Sequence, residues 1–80
     1  MKIKDIKVND IIQVTLSWRN EKPFVTKALK KGIEIDSVEI EMLFTEPIVI
    51  WLETHEISSA TKQQRFTYYM NGGPYEEKDA

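Results

Sequence analysis

Val38, Ile40, Met42 and Phe44 alternate with Glu39, Glu41 and Leu43, a period of two that gives an extended segment one apolar side and one largely acidic side. Thr45-Glu46-Pro47 breaks the run, and Ile48-Val49-Ile50-Trp51-Leu52 resumes it with β-branched residues suited to a pleated surface. Together they predict a hairpin over residues 38–52. Upstream, Ile12, Val14, Leu16 and Trp18 alternate with Gln13, Thr15, Ser17 and Arg19, the pattern of a strand with one buried and one wet face. Asn9-Asp10 before it reads as a turn whose side chains tolerate left-handed backbone, and Asn20-Glu21-Lys22-Pro23 after it as a polar connection.

The segment from Phe24 to Lys31 admits two readings. Phe24, Val25, Ala28 and Leu29 fall at helical spacing, with Asn20 as a cap upstream and Gly32 as a stop, which gives an α+β alternative with a helix at residues 21–31. Val25 and Thr26 are β-branched and Phe24, Thr26 and Ala28 also line one strand face, so the strand is favoured. Ile33 and Ile35 sit on odd positions and Val38 onward on even ones, which requires a turn or bulge at Asp36-Ser37. Residues 53–60 read as a loop or a single helical turn, with Ser58 or Ser59 as cap and Ile57 turned inward. Residues 64–70 read as a last strand, ended by Asn71-Gly72-Gly73-Pro74, and residues 75–80 as a mobile acidic tail. The expectation is one mainly β domain over residues 1–74, built of five strands and one short helical turn.

At 80 residues the chain is near the lower size limit for a core without staples, and it contains no cysteine, which excludes disulfides, thiolate metal sites and a cysteine nucleophile. Met1-Lys2-Ile3-Lys4-Asp5 lacks the apolar core of a signal peptide, and no run approaches membrane-spanning length, so a cytoplasmic protein is expected. The net charge of −2 hides a segregation: residues 1–31 carry eight basic and three acidic side chains, residues 32–57 seven acidic and no Lys or Arg. Two explanations are open. Neighbouring strands can set Lys27, Lys30 and Lys31 beside Glu34, Glu39 and Glu41, or the two signs form separate surfaces, one of which meets a partner.

Lys7-Val8-Asn9-Asp10-Ile11-Ile12, then Val38-Glu39-Ile40-Glu41-Met42-Leu43-Phe44, then Trp51-Leu52 with Glu56-Ile57, resemble the opening turn, central strand and closing segment of SH3-like small barrels, the Tudor and PWWP types in particular. The resemblance spans residues 7–57 and implies a five-stranded barrel that binds other macromolecules. Asn9 stands where many such barrels have glycine. The aromatic cage that Tudor-like domains use for methylated side chains is not evident, because Trp18, Phe24, Phe44 and Trp51 fall on faces assigned to the core.

Reactive chemistry is sparse. His55 is the only histidine, general acid/base work needs it oriented by a second group in a cleft, and its sequence neighbours Glu53 and Glu56 seldom build such a site; the chain holds no nucleophile elbow, phosphate loop or metal-ligand spacing. An enzyme is not expected, nor is a cofactor or metal. Phe66, Tyr68 and Tyr69 crowd into one short segment. Either Phe66, Tyr68 and Met70 close the barrel with Tyr69 outside, or the tyrosines form a ledge for a partner. Two functional classes follow. The first is a protein-interaction module, an accessory or inhibitory protein included, that docks through an exposed sheet edge, an acidic face of Glu39, Glu41 and Glu53, or a ledge of Tyr68 and Tyr69. The alternative is nucleic-acid binding through Lys7, Arg19, Lys22, Lys27, Lys30 and Lys31 with a tyrosine stacked on a base, against which the sequence pI of 5.4 argues.

Overall fold

A computed structural model describes residues 6–16, 22–32, 36–43, 45–53 and 55–77. The chain runs β1 (Ile11–Thr15), β2 (Phe24–Lys31), β3 (Ser37–Ile40), β4 (Ile48–Trp51), β5 (Glu56–Ser59), α1 (Lys62–Asn71) and β6 (Tyr75–Glu76). The strands pair antiparallel in the order β4-β3-β2-β1-β5, with β6 alongside the start of β2. β1 to β4 thus form a meander, and β5 returns to pair with β1.

The alternation in β1 explains its placement. Ile12 and Val14 face the main core with Ile6, Leu16, Phe24, Ala28, Val38, Ile40, Ile50 and Ile57, all buried, and Met42, Ile48 and Leu52 pack at its margin. Ile11 points the other way, into a second cluster with Val25, Ala60 and Tyr68. The middle of the sheet is therefore buried on both sides. Asn9 adopts φ 75° at the turn before β1, the left-handed geometry that asparagine tolerates. The turn is fastened by the Asp10 N–H to the Lys7 carbonyl (3.0 Å), the Lys7 N–H to the Asp10 carboxylate (2.8 Å) and the Asn9 N–H to the Ala28 carbonyl (2.7 Å).

The strand reading of Phe24 to Lys31 holds, and the helix at 21–31 does not form. β2 pairs with β1 through Phe24, Val25, Thr26 and Lys27 and with β3 through Ala28, Lys30 and Lys31. The β3–β4 hairpin also forms, with Ser37, Val38, Glu39 and Ile40 opposite Trp51, Ile50, Val49 and Ile48. The chain bends at Asp36, and β2 itself carries a register shift between Ala28 and Lys30. Trp18, Arg19, Ile33, Ile35 and Phe44 lie outside the described residues.

Four expectations need correction. Residues 56–59 are β5 rather than a loop or single helical turn, and Ile57 is buried from a strand. Residues 64–70 are helix, not strand. Thr61 caps α1: its hydroxyl accepts from the Gln64 N–H (3.1 Å) while the Gln64 side chain accepts from the Thr61 N–H (2.9 Å), a reciprocal capping box. Gly72 ends the helix at φ 79°, a conformation that costs other L-residues more. Tyr75 and Glu76, read as tail, pair with Val25 and Phe24. Trp51, assigned to the core, is 58% exposed.

Candidate functional site

The inner side of the sheet holds the main core, so candidate surfaces lie on its outer side. One half of that side is covered. Tyr68 is 4% exposed, packs on Ile11, Val25 and Ala60, and donates its hydroxyl to the Glu41 carboxylate. The Lys27 ammonium lies 5.8 Å from the centre of the Tyr68 ring, within cation–π range. Burial, and then the hydrogen bond to the Glu41 carboxylate, hold the Tyr68 phenol far above its ordinary pKa. Gln64 bridges the helix to the sheet through Gln13 (2.6 Å) and Glu77, and the Tyr75 hydroxyl donates to the Gln64 carbonyl (3.3 Å).

The other half is open. Cross-strand partners point to one face, so Lys30, Glu39 and Val49 form a row across β2, β3 and β4, with Trp51 beyond Val49 along the strand. Val49 is 57% exposed, and Ile48 and Ile50 turn inward. Among the described residues β4 is also the last strand on its side of the sheet, so one line of its backbone groups has no strand neighbour there. Glu46 before β4 and Glu53 after it are both exposed.

The expected acidic face is thus divided. Glu39 stands on the open half beside Val49 and opposite Lys30, Glu41 is held by Tyr68 on the covered half, and Glu53 lies on the exposed turn after β4. Glu41 and Lys27 meet on the same tyrosine, and Lys30 stands opposite Glu39, as the reading of lysines set beside glutamates on neighbouring strands expects. The tyrosine ledge is reduced to Tyr69, which is 63% exposed and meets the Tyr68 ring edge-on at 5.3 Å. Phe66 and Met70, expected to close the barrel, are exposed on α1. Lys7, Lys22, Lys30 and Lys31 are exposed, as the nucleic-acid alternative needs, whereas Tyr68 has no free face for a base.

Sequence reasoning passed over Val49 and Trp51 as site residues. In a run with no polar position between Ile48 and Leu52, alternation alone leaves the outward parity undecided. A cleft of about 290 Å³ lies between α1 and the turn before β1, with Asn9, Asp10, Ser59, Arg65 and Tyr69 on its walls. Among the described residues no group of three or more His, Cys, Asp or Glu is placed to hold a metal, and no helix is long and apolar enough to cross a membrane. His55 is buried, and desolvation lowers its pKa. No family model, curated protein or solved structure matches the chain.

Proposed function

We propose that this chain is a non-enzymatic protein-interaction module whose docking surface is the outer side and free edge of β4, centred on Trp51 and Val49. The observation that carries the reading is the adjacency of these two large apolar side chains on a terminal strand, each more than half exposed. Water contact on apolar surface is unfavourable, and contiguous patches of this kind mark interaction sites more often than isolated exposed residues do. The unpaired backbone of a terminal strand adds directional hydrogen bonds to an incoming extended segment. Tryptophan is among the residues that contribute most when buried at an interface. Arg65 beside the exposed Tyr69 is the feature that best suits the nucleic-acid alternative, but Glu39, Glu46 and Glu53 stand around Val49 and Trp51 on the open half and oppose an anionic strand there.

The test compares tagged wild type with Trp51→Lys, each recovered from the native host at equal amounts. A protein retained by the wild type and reduced at least about tenfold with Trp51→Lys, as loss of one interface anchor of 1.4 kcal/mol or more produces, supports the assignment. Equal retention by a folded Trp51→Lys overturns it.

A further inference from the structure

We infer that two copies of this chain join edge to edge, β4 against β4, as a two-fold antiparallel pair that continues the sheet from one molecule into the other. This rests on the reading of β4 as the docking surface and adds the occupant. The backbone decides what the edge offers. The Leu52 N–H donates to the Asp36 carbonyl (2.9 Å), one step beyond the pairing of Trp51 with Ser37. Backbone groups alternate sides along a strand, so those of Ile48 and Ile50 also face β3, and those of Val49 and Trp51 face the free edge. The side chains of the same two residues are the exposed apolar pair on the outer side. Ile48 and Leu52, half-buried at the margin of the main core, make β4 apolar on its inner side as well. A strand apolar on both sides has the pattern of a sheet interior rather than of an edge.

An antiparallel pair brings together residues that share a face, which restricts the register. With Ile50 on the two-fold axis, Val49 lies opposite Trp51 of the second copy and Trp51 opposite its Val49, so each gives and receives a backbone bond. On the inner side Ile48 then meets Leu52 of the second copy, and every pair across the axis from 48 to 52 is apolar. A shift of two residues in one direction sets Trp51 against Pro47, which has no N–H to give, and in the other sets Val49 against Glu53. The other exposed elements complement β4 less well. β5, the opposite terminal strand, turns Glu56 and Ser58 outward and would set Val49 and Trp51 against polar side chains. α1 offers Phe66, Tyr69 and Met70 but no strand edge for the backbone of Val49 and Trp51, and Asp10 beside Arg65 gives its rim both signs.

The charges around the patch suit the same register. Lys30 stands opposite Glu39 within each copy, and the row that they begin passes through Val49 into the second copy's Trp51 and Ser37. The two Glu39 are three strand spacings apart, about 14 Å, which exceeds the screening length at physiological salt. The rows of Lys31 and Asp36 run through Ile50 and Leu52 into the second copy's Ile50 and Ile48, so neither faces a charge across the axis. The nearest like charges across the axis are Glu46 of one copy and Glu53 of the other, one residue out of register. They oppose association until salt screens them.

Light scattering after size exclusion, from about 1 μM to 1 mM chain, tests the pairing. The mass of the wild type is expected to rise from 9.4 kDa to twice that value and stop, because a two-fold contact closes on itself. Trp51→Lys and Val49→Lys, checked for an unchanged melting temperature at low concentration, each raise the dissociation constant at least about tenfold. Salt added from about 0.05 to 0.5 M tightens the dimer, whereas a basic partner held by the carboxylates would be released. Amide exchange at low and high concentration locates the contact. The Val49 and Trp51 N–H groups slow at least about tenfold in the dimer. That of Ser59, turned to the free edge of β5 because the Ala60 N–H bonds the Ile11 carbonyl (3.2 Å), does not. A wild type that stays monomeric overturns the inference. So does a mass that grows past two copies, a dimer that loosens with salt or ignores both lysine variants, or one in which Val49 and Trp51 gain no protection. A monomeric chain that still recovers a host protein through Trp51 leaves the β4 assignment standing with a foreign occupant, and one that recovers none removes both.

Discussion

Val25 and Val49 lie on the outer side of the same sheet, yet the first is fully buried and the second is 57% exposed. The difference lies in coverage rather than in the strands. α1 follows β5 directly and lies over β1 and the first half of β2, where Ile11, Val25 and the ammonium of Lys27 meet Tyr68. The helix stops at Gly72 and the chain returns along β2 as β6, so no described element crosses to β3 and β4. Apolar residues on the covered half hold the molecule together. Those on the open half are available to a partner.

The largest effect that separates core from open face is expected for Phe24→Ala. Its ring is fully buried in the main core, and its removal should cost about 3–5 kcal/mol. A chain of this length has about 4–12 kcal/mol in all, so chemical denaturation should show a large fall in midpoint. Tyr68→Phe is expected to cost about 1–2 kcal/mol, because the buried ring remains and only the hydroxyl bond to Glu41 is lost. The same change should alter the alkaline limb of stability. The folded-state pKa of Tyr68 is raised, so its contribution is complete below about pH 10, the unfolded value, and is lost as pH rises beyond it. Tyr68→Phe should flatten that limb in a pH series of thermal melts.

Thr61→Ala is expected to cost about 1 kcal/mol by removing one arm of the capping box. It should loosen the covered half selectively, visible as faster amide exchange in α1 and β6 than in β3 and β4. His55 has a folded pKa below its ordinary value because burial penalises the charged form. The unfolded chain then takes up the proton first, so stability should fall as pH drops below about 6.5. His55→Gln should remove that part of the slope. The smallest effect on stability is expected for Trp51→Lys, within about 0.5 kcal/mol, because exposed positions contribute little to folding.

The strands were legible in the sequence wherever one face is apolar and the other polar. Ile12 and Val14 against Gln13 and Thr15, or Val38 and Ile40 against Glu39, admit only one inward parity, and the structure follows it. α1 was not legible from periodicity, because the helix buries little besides Tyr68 and its apolar residues Phe66, Tyr68 and Met70 also satisfy a period of two. Its ends were legible: Thr61 with Gln64 three residues on, and Gly72 after Asn71, are start and stop signals that outrank the alternation between them. Val49 and Trp51 show a different limit. Every side chain from Ile48 to Leu52 is apolar, so the outward pair depends on which parts of the sheet the helix reaches, a tertiary fact with no local trace. Glu41 is the same case in reverse, since its removal from the acidic face depends on a tyrosine 27 positions away.

The most direct measurement places a photoreactive amino acid at position 51, and in a parallel sample at position 58 on the opposite terminal strand β5, and irradiates both in the native host. A crosslinked product from position 51 that is absent from position 58, whether to a second copy or to another protein, is the expected result. Equal crosslinking from both positions, or none from position 51 while another site on the chain gives a product, would contradict the assignment of β4 as the docking surface.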